Sequence, residues 1–169
     1  MFLGQAVNLY SKVWRLQRNY NWDFILPDIG MVTSGFLISP YCQNIRFGDY
    51  SIDTVSEMRY GAFKTKYAGF FDIQSVVATF LKPVPDTVSS YFYAWRRLII
   101  SEDGLFNPKI SYAKDAYVFM YDSSGAPTSI LKLSGIFPKK FPAYSLSYER
   151  EEVTKFEIEF NVDRIMVVM

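Results

Sequence analysis

Apolar positions near the start of the chain recur at the spacing of a helix. Leu3, Ala6, Val7, Tyr10, Val13 and Trp14 fall on one face of a helix over 3–18, with Gln5, Asn8, Lys12, Arg15 and Arg18 on the polar side. Such a helix must rest its stripe on something, either its own sheet or a neighbouring chain. From Asn19 the period changes to two. Tyr20, Trp22, Phe24 and Leu26 share one face of a strand that Pro27 and Gly30 end. A second apolar run, Gly35–Ser39, stops at Pro40, and Gln43–Phe47 continues a hairpin after the turn. Residues 48–69 are more polar, with Asp49, Asp53, Glu57, Arg59, Lys64 and Lys66 among aromatic residues. Within the span 30–69 the pattern fits a long hairpin arm or an exposed loop, and a loop of that length usually has a function.

Phe70–Lys82 carries the strongest strand pattern. Phe71, Ile73, Val77 and Leu81 lie on one side, and Asp72, Gln74 and Lys82 on the other. Pro83 and Pro85 end it, and Asp86 or Thr87 caps a second helix that runs to about Ile100. Its stripe is Val88, Tyr91, Phe92, Trp95, Leu98 and Ile99. Beyond the loop Glu102-Asp-Gly the chain predicts hairpins. Ser111–Tyr121 pairs with Ser129–Phe137 across the turn Asp122-Ser-Ser-Gly-Ala-Pro, and Pro138-Lys-Lys-Phe-Pro breaks the chain again. Tyr144–Tyr148 and Thr154–Val168 form the last pair, with Phe156, Ile158, Phe160 and Val162 alternating against Glu157, Glu159, Asn161 and Asp163. With no internal repeat, low-complexity tract or linker, residues 1–169 are expected to form one mainly β domain with an N-terminal helix and one internal helix.

Composition narrows the chemistry. The chain has no histidine, which removes the commonest general base and nitrogen metal ligand. Its single cysteine, Cys42, has no disulfide partner in the chain and reads as a packing residue. Neither a phosphate-binding glycine loop nor a nucleophile elbow occurs. Glu157, Glu159 and Asp163 read as the wet side of a half-buried strand. The pairs Arg96–Arg97 and Lys139–Lys140 read as solvated surface, since 18 basic residues against 17 acidic leave a net charge of only +1. Thirteen Tyr and 15 Phe instead suit sheets and buried protein surfaces. No enzyme activity, cofactor or metal is expected. No apolar run is long enough for a signal peptide or a membrane span, so the chain is expected to stay in the cytoplasm that makes it.

Three segments carry a family resemblance. Phe71-Asp72-Ile73 leads a strand into a capped helix containing Tyr93-Ala-Trp95. Leu133-Ser-Gly-Ile-Phe-Pro138 looks like a glycine–apolar–aromatic–proline turn at a strand end. Tyr144–Tyr148 precedes Phe156-Glu-Ile-Glu-Phe-Asn-Val-Asp163. In this order they resemble the tail-tube protein family of contractile-tailed phages; 30–69 shows no match. The resemblance implies a β-sandwich or barrel-like domain that assembles into stacked, six-fold rings inside a contractile sheath, in a virion tail built in the host cytoplasm. Its partners would be further copies of itself, sheath and baseplate proteins, and genomic DNA passing through the lumen. Tyr10, Trp14, Tyr60, Phe63 and Tyr67 are the interface candidates. Asp72, Gln74, Glu157, Glu159 and Asn161 are candidates for a polar strand face or lumen, where lysine and arginine would hold phosphate back. A tube initiator or baseplate protein of the same fold is the alternative, as is the tube of a phage-derived injection device. From another class, a monomeric carbohydrate-binding β-sandwich would use its tyrosines as sugar platforms.

Overall fold

An aromatic cluster on one helix face organises the fold. The computed structural model describes residues 21–30, 34–60, 63–73, 75–141 and 154–168, with the backbone alone for 55–60 and 63–65. Helix α1, Thr87–Ile99, starts where predicted: the Asp86 carboxylate accepts from the Ser89 backbone N–H at 3.1 Å and pairs with Lys82 at 3.0 Å. Val88, Tyr91, Phe92 and Trp95 of its predicted stripe are fully buried. Phe92 meets Phe80 with centroids 5.2 Å apart, and Trp95 meets Phe160 at 6.2 Å. Each such side chain contributes roughly 1.5–3 kcal/mol on burial, so packing anchors the helix far more than propensity does. The polar atoms in this wall have partners: Tyr91 Oη donates to Pro27 O at 2.5 Å and Trp95 Nε1 to Tyr112 O at 2.8 Å.

A sheet packs against the buried face of this helix. The strands are β1 (Trp22–Ile25), β2 (Cys42–Arg46), β3 (Tyr50–Tyr60), β4 (Phe63–Ile73), β5 (Val76–Leu81), β6 (Lys114–Tyr121), β7 (Pro127–Lys140), β8 (Lys155–Asn161) and β9 (Arg164–Val167). Seven of them form one antiparallel sheet in the order β1-β6-β7-β8-β5-β2, with β9 also beside β7; among the described residues β3 and β4 pair only with each other. The sheet has two wings that share β7. Its first part runs between β6 and β9, and its last residues pair with β8. Gly135 makes the corner, at φ +68°. A Cβ there would collide with the Asp163 carboxylate, in the break between β8 and β9. Asp163 N donates to Ser134 O at 3.1 Å, its carboxylate pairs with Lys109 at 2.6 Å, and Asp115 pairs with Lys132 at 2.7 Å on the neighbouring strand.

The mainly β class with an internal helix is as predicted. Within and beyond the span 30–69, β3 and β4 are the two sides of a long hairpin from Tyr50 to Ile73, and the residues before it form a helical turn and β2. Other expectations change. Gly35–Ile38 is a helical turn and not a strand, and Gly35 packs against the Leu26 and Pro27 carbonyls where a Cβ would have no room. β2 therefore pairs with β5 instead of closing a local hairpin. The predicted strand Phe70–Lys82 divides: Phe70–Ile73 belongs to the arm, and Val76, Ala78 and Phe80 face the core in place of Val77 and Leu81. Lys109–Tyr112 is a helical turn, which delays β6 to Lys114. Pro138 does not end β7. At that point β7 has β8 on one side and no described strand on the other, so the missing N–H leaves no gap in the ladder. Thr154–Val168 is split in two by the corner at Asp163. The helix expected over 3–18 and the strand Tyr144–Tyr148 lie outside the described residues.

Gly135→Ala is expected to destabilise the protein by about 1–3 kcal/mol, since alanine tolerates neither the left-handed backbone nor the Asp163 carboxylate. Gly125→Ala, at φ +84° with open space around it, should cost less. Urea unfolding of the two variants gives the comparison.

Candidate assembly surfaces

Once the core is accounted for, three kinds of surface remain incompletely satisfied. The first is backbone. β1 pairs only with β6, β2 only with β5 and β9 only with β7, so each presents a row of N–H and C=O groups with no described strand beside it. Such rows pair readily with another chain.

The second is the arm. Its strands pair from Tyr50 opposite Ile73 to Tyr60 opposite Phe63. Tyr50, Ile52, Tyr67, Phe70 and Phe71 are all exposed on it, Phe70 to 80%. Tyr50 and Phe71 stack on each other with centroids 5.7 Å apart. A two-stranded ribbon is marginally stable in water, and a run of exposed rings on one favours association.

The third is polar. Phe156, Ile158 and Phe160 of β8 are buried, while Glu157, Glu159 and Asn161 point to the other face. Glu157 sits opposite Thr79 and Glu159 opposite Val77 on β5, and the rows continue to Asn44 and Arg46 on β2. Ser75 Oγ donates to Glu159 at 2.6 Å and Lys139 pairs with it at 3.3 Å. The Ser75 bond and then the Lys139 bond hold the Glu159 carboxyl below the usual glutamate range.

The predicted candidates divide among these surfaces. Glu157, Glu159 and Asn161 come together on β8. Asp72 does not join them: it lies on the arm, paired with Ser51, and Gln74 is outside the described residues. Tyr67 is exposed on the arm, and Tyr60 and Phe63 face each other across its tip, where only backbone is described. Tyr10 and Trp14 lie outside the described residues. Sequence reasoning missed Phe70 and Phe71 as surface residues, having placed them at the start of a core strand. It also missed Leu105, Phe106 and Ile110, exposed to 69%, 78% and 86% around a loop that reads as polar. The signal was the pair Leu105-Phe106 directly after Gly104, a turn glycine at φ +79°. Cys42 is partly buried, and burial pushes its thiol up to about 12, which keeps it protonated and unreactive. Among the described residues no group of three or more His, Cys, Asp or Glu could hold a metal ion, and no helix is long and apolar enough to cross a membrane.

No protein-family model matches the chain, and no curated protein matches it in sequence. Solved structures do match in shape. The tube-terminating cap of the anti-feeding prophage superposes with a TM-score of 0.68 at 17% identity, over 90% of each chain. A protein of the extended sheath–tube complex of the extracellular contractile injection system PVC gives 0.66 at 17% identity, over 93% of this chain and 95% of that one. This is the tail-tube fold. A baseplate protein of the anti-feeding prophage shares it at a TM-score of 0.57 and 11% identity, over 87% of this chain and 90% of its own. The likeness covers nearly the whole chain, so the span 30–69, which resembled nothing in sequence, does not set the protein apart from the tail-tube fold. At these identities what is shared is the backbone path, while the aromatic arm and the polar β8 face are properties of this chain's own residues.

The Glu159 contacts have a pH signature. A carboxyl held low in the folded state adds stability that is present above its ordinary value of 4.5 and is lost as pH falls through the lower folded-state value. Between about pH 5 and pH 3 the wild type should therefore lose stability more steeply than Glu159→Gln. Thermal melts across that range provide the measurement.

Proposed function

We propose that the chain is a structural subunit of the tube of a contractile injection machine, of phage or phage-derived type, and that it works by assembling and not by catalysis. The observation that carries this is the match of almost the whole chain to a cap and a sheath–tube protein of such machines, at TM-scores of 0.68 and 0.66. The surfaces fit the role. Open edges on β1, β2 and β9 favour strand-to-strand or lateral contacts between copies, and a single kind of head-to-tail contact generates rings and then stacks. The exposed rings of the arm supply anchors of the sort that dominate protein interfaces. Sheath and baseplate proteins are the further partners.

A cap or an initiator of the tube is the second reading. It is favoured by the nearly equal likeness to the terminating cap and by the baseplate protein of the same fold. Electron microscopy of the purified full-length protein separates the readings. Rings that stack into tubes support a tube subunit, and rings that never stack support a cap or initiator. A stable monomer that binds glycans overturns both. In the assembling protein, Phe70→Asp with Phe71→Asp should leave α1 folded and weaken assembly by about 2 kcal/mol or more per contact. Sedimentation of the variant against the wild type measures the loss.

For a six-fold tube that conducts DNA, the polar β8 face is the surface suited to the lumen, because carboxylates and amides let phosphates slide. Glu157→Lys with Glu159→Lys should leave tubes intact and slow DNA release. Unchanged release from a tube made basic at these positions would remove β8 from the lumen.

A further inference from the structure

The outer face of the wing formed by β1, β6, β7 and β9 is largely apolar away from the corner, where Asp115, Ser134 and Arg164 make it polar. Its inner positions, Phe24, Val118 and Leu133, are buried against the core. Strand register then puts two rows on the opposite face. One row is Ile25, Tyr117, Lys132 and Met166. The next is Asp23, Phe119, Ile130 and Val168, the last placed by its backbone N–H donating to Ile130 O at 2.8 Å. The two charged members are both engaged from the side. Lys132 pairs with Asp115 at 2.7 Å and lies 5.9 Å over the Tyr117 ring, and Asp23 bonds Tyr121. Tyr117, Phe119 and Tyr121 form a column of neighbouring rings, each pair 6.4 Å apart. Ala116–Tyr121 is thus an apolar run with both faces greasy, the composition of a strand buried on both sides. The other wing differs: its outer face carries Glu157, Glu159 and Asn161.

We propose that residues 3–18 of the same chain dock on this face as an amphipathic helix, with Leu3, Ala6, Val7, Tyr10, Val13 and Trp14 turned to the column of rings. The chain enters the sheet beside it. Asn21 O accepts from Tyr121 N at 2.9 Å and Asn21 Nδ2 donates to Asp122 O at 3.0 Å, so the twenty residues before Asn21 leave from the Tyr121 end of the column. A helix over the sixteen residues 3–18 reaches about 24 Å at 1.5 Å per residue, close to the roughly 26 Å of an eight-residue strand such as β6. Only two residues, Asn19 and Tyr20, are needed to reverse direction onto the face. The polar side of the helix, Gln5, Asn8, Lys12, Arg15 and Arg18, is left for water. The inference is independent of the tube assignment, because it concerns how one chain covers its own sheet.

Hydrogen–deuterium exchange on the full-length protein tests it. Amides of residues 3–18 are expected to be protected in the wild type, equally at high and low protein concentration. Phe119→Asp on the sheet and Trp14→Asp on the helix should each lower that protection by about tenfold or more, with the α1 amides unchanged. Ile130→Lys, on the next strand of the same face, repeats the test should Phe119→Asp disturb α1. Unprotected 3–18 amides in the wild type would overturn the proposal. So would protection that vanishes on dilution, which assigns the face to a second copy, or protection that survives both sheet substitutions, which places the helix elsewhere.

Discussion

The corner at Gly135 is what lets one sheet turn around the aromatic face of one helix. α1 buries one face, with Val88, Tyr91, Phe92 and Trp95, and leaves Ser90, Tyr93, Arg96 and Arg97 exposed on the other. At Gly135 the backbone takes φ +68°, β7 changes partners from β6 and β9 to β8, and the two wings close around the aromatic cluster. The facing break at Val162–Asp163 lets β8 and β9 follow the same bend. Ionic and backbone contacts from Asp163 and Asp115 hold the corner from outside. Each is partly exposed and individually weak, so the geometry rests mainly on the core that the bend makes possible.

That packing consumes the concave face and leaves the molecule with surfaces of different character. One outer face is polar, one is apolar, three strand edges have no described neighbour, and the arm projects aromatic side chains with no core beneath them. A small soluble monomer rarely keeps so much unsatisfied strand edge and exposed aromatic area together. These features favour a protein whose final state includes other copies, which is the physical side of its likeness to tube and cap proteins.

The polar β8 face and the arm also differ in how they would meet a partner. Glu159 is already tied to Ser75 and Lys139, so this face is preorganised and wet. On the arm Tyr50 and Phe71 stack on each other and Tyr67 and Phe70 are exposed, so their free energy is realised when something buries them. Sliding cargo suits the first kind of surface and stable subunit contact the second.

Periodicity alone determined the elements whose neighbours in sequence are also neighbours in space. The stripe of α1, the Asp86 cap, the β6–β7 hairpin with its Asp122 turn and the alternation along β8 all follow from local rules. Tertiary structure decided the rest. Whether Phe70 and Phe71 open a core strand or end an arm depends on β5 pairing with β8, about eighty residues away, and no local pattern encodes a partner at that distance. The same holds for Pro138, accommodated where β7 has no described strand on one side, and for Asp72, separated from Glu157 and Glu159 because its strand left the sheet. Strand alternation states that a residue has two possible faces. Only the pairing of distant strands decides which face is core, which is water and which awaits another surface.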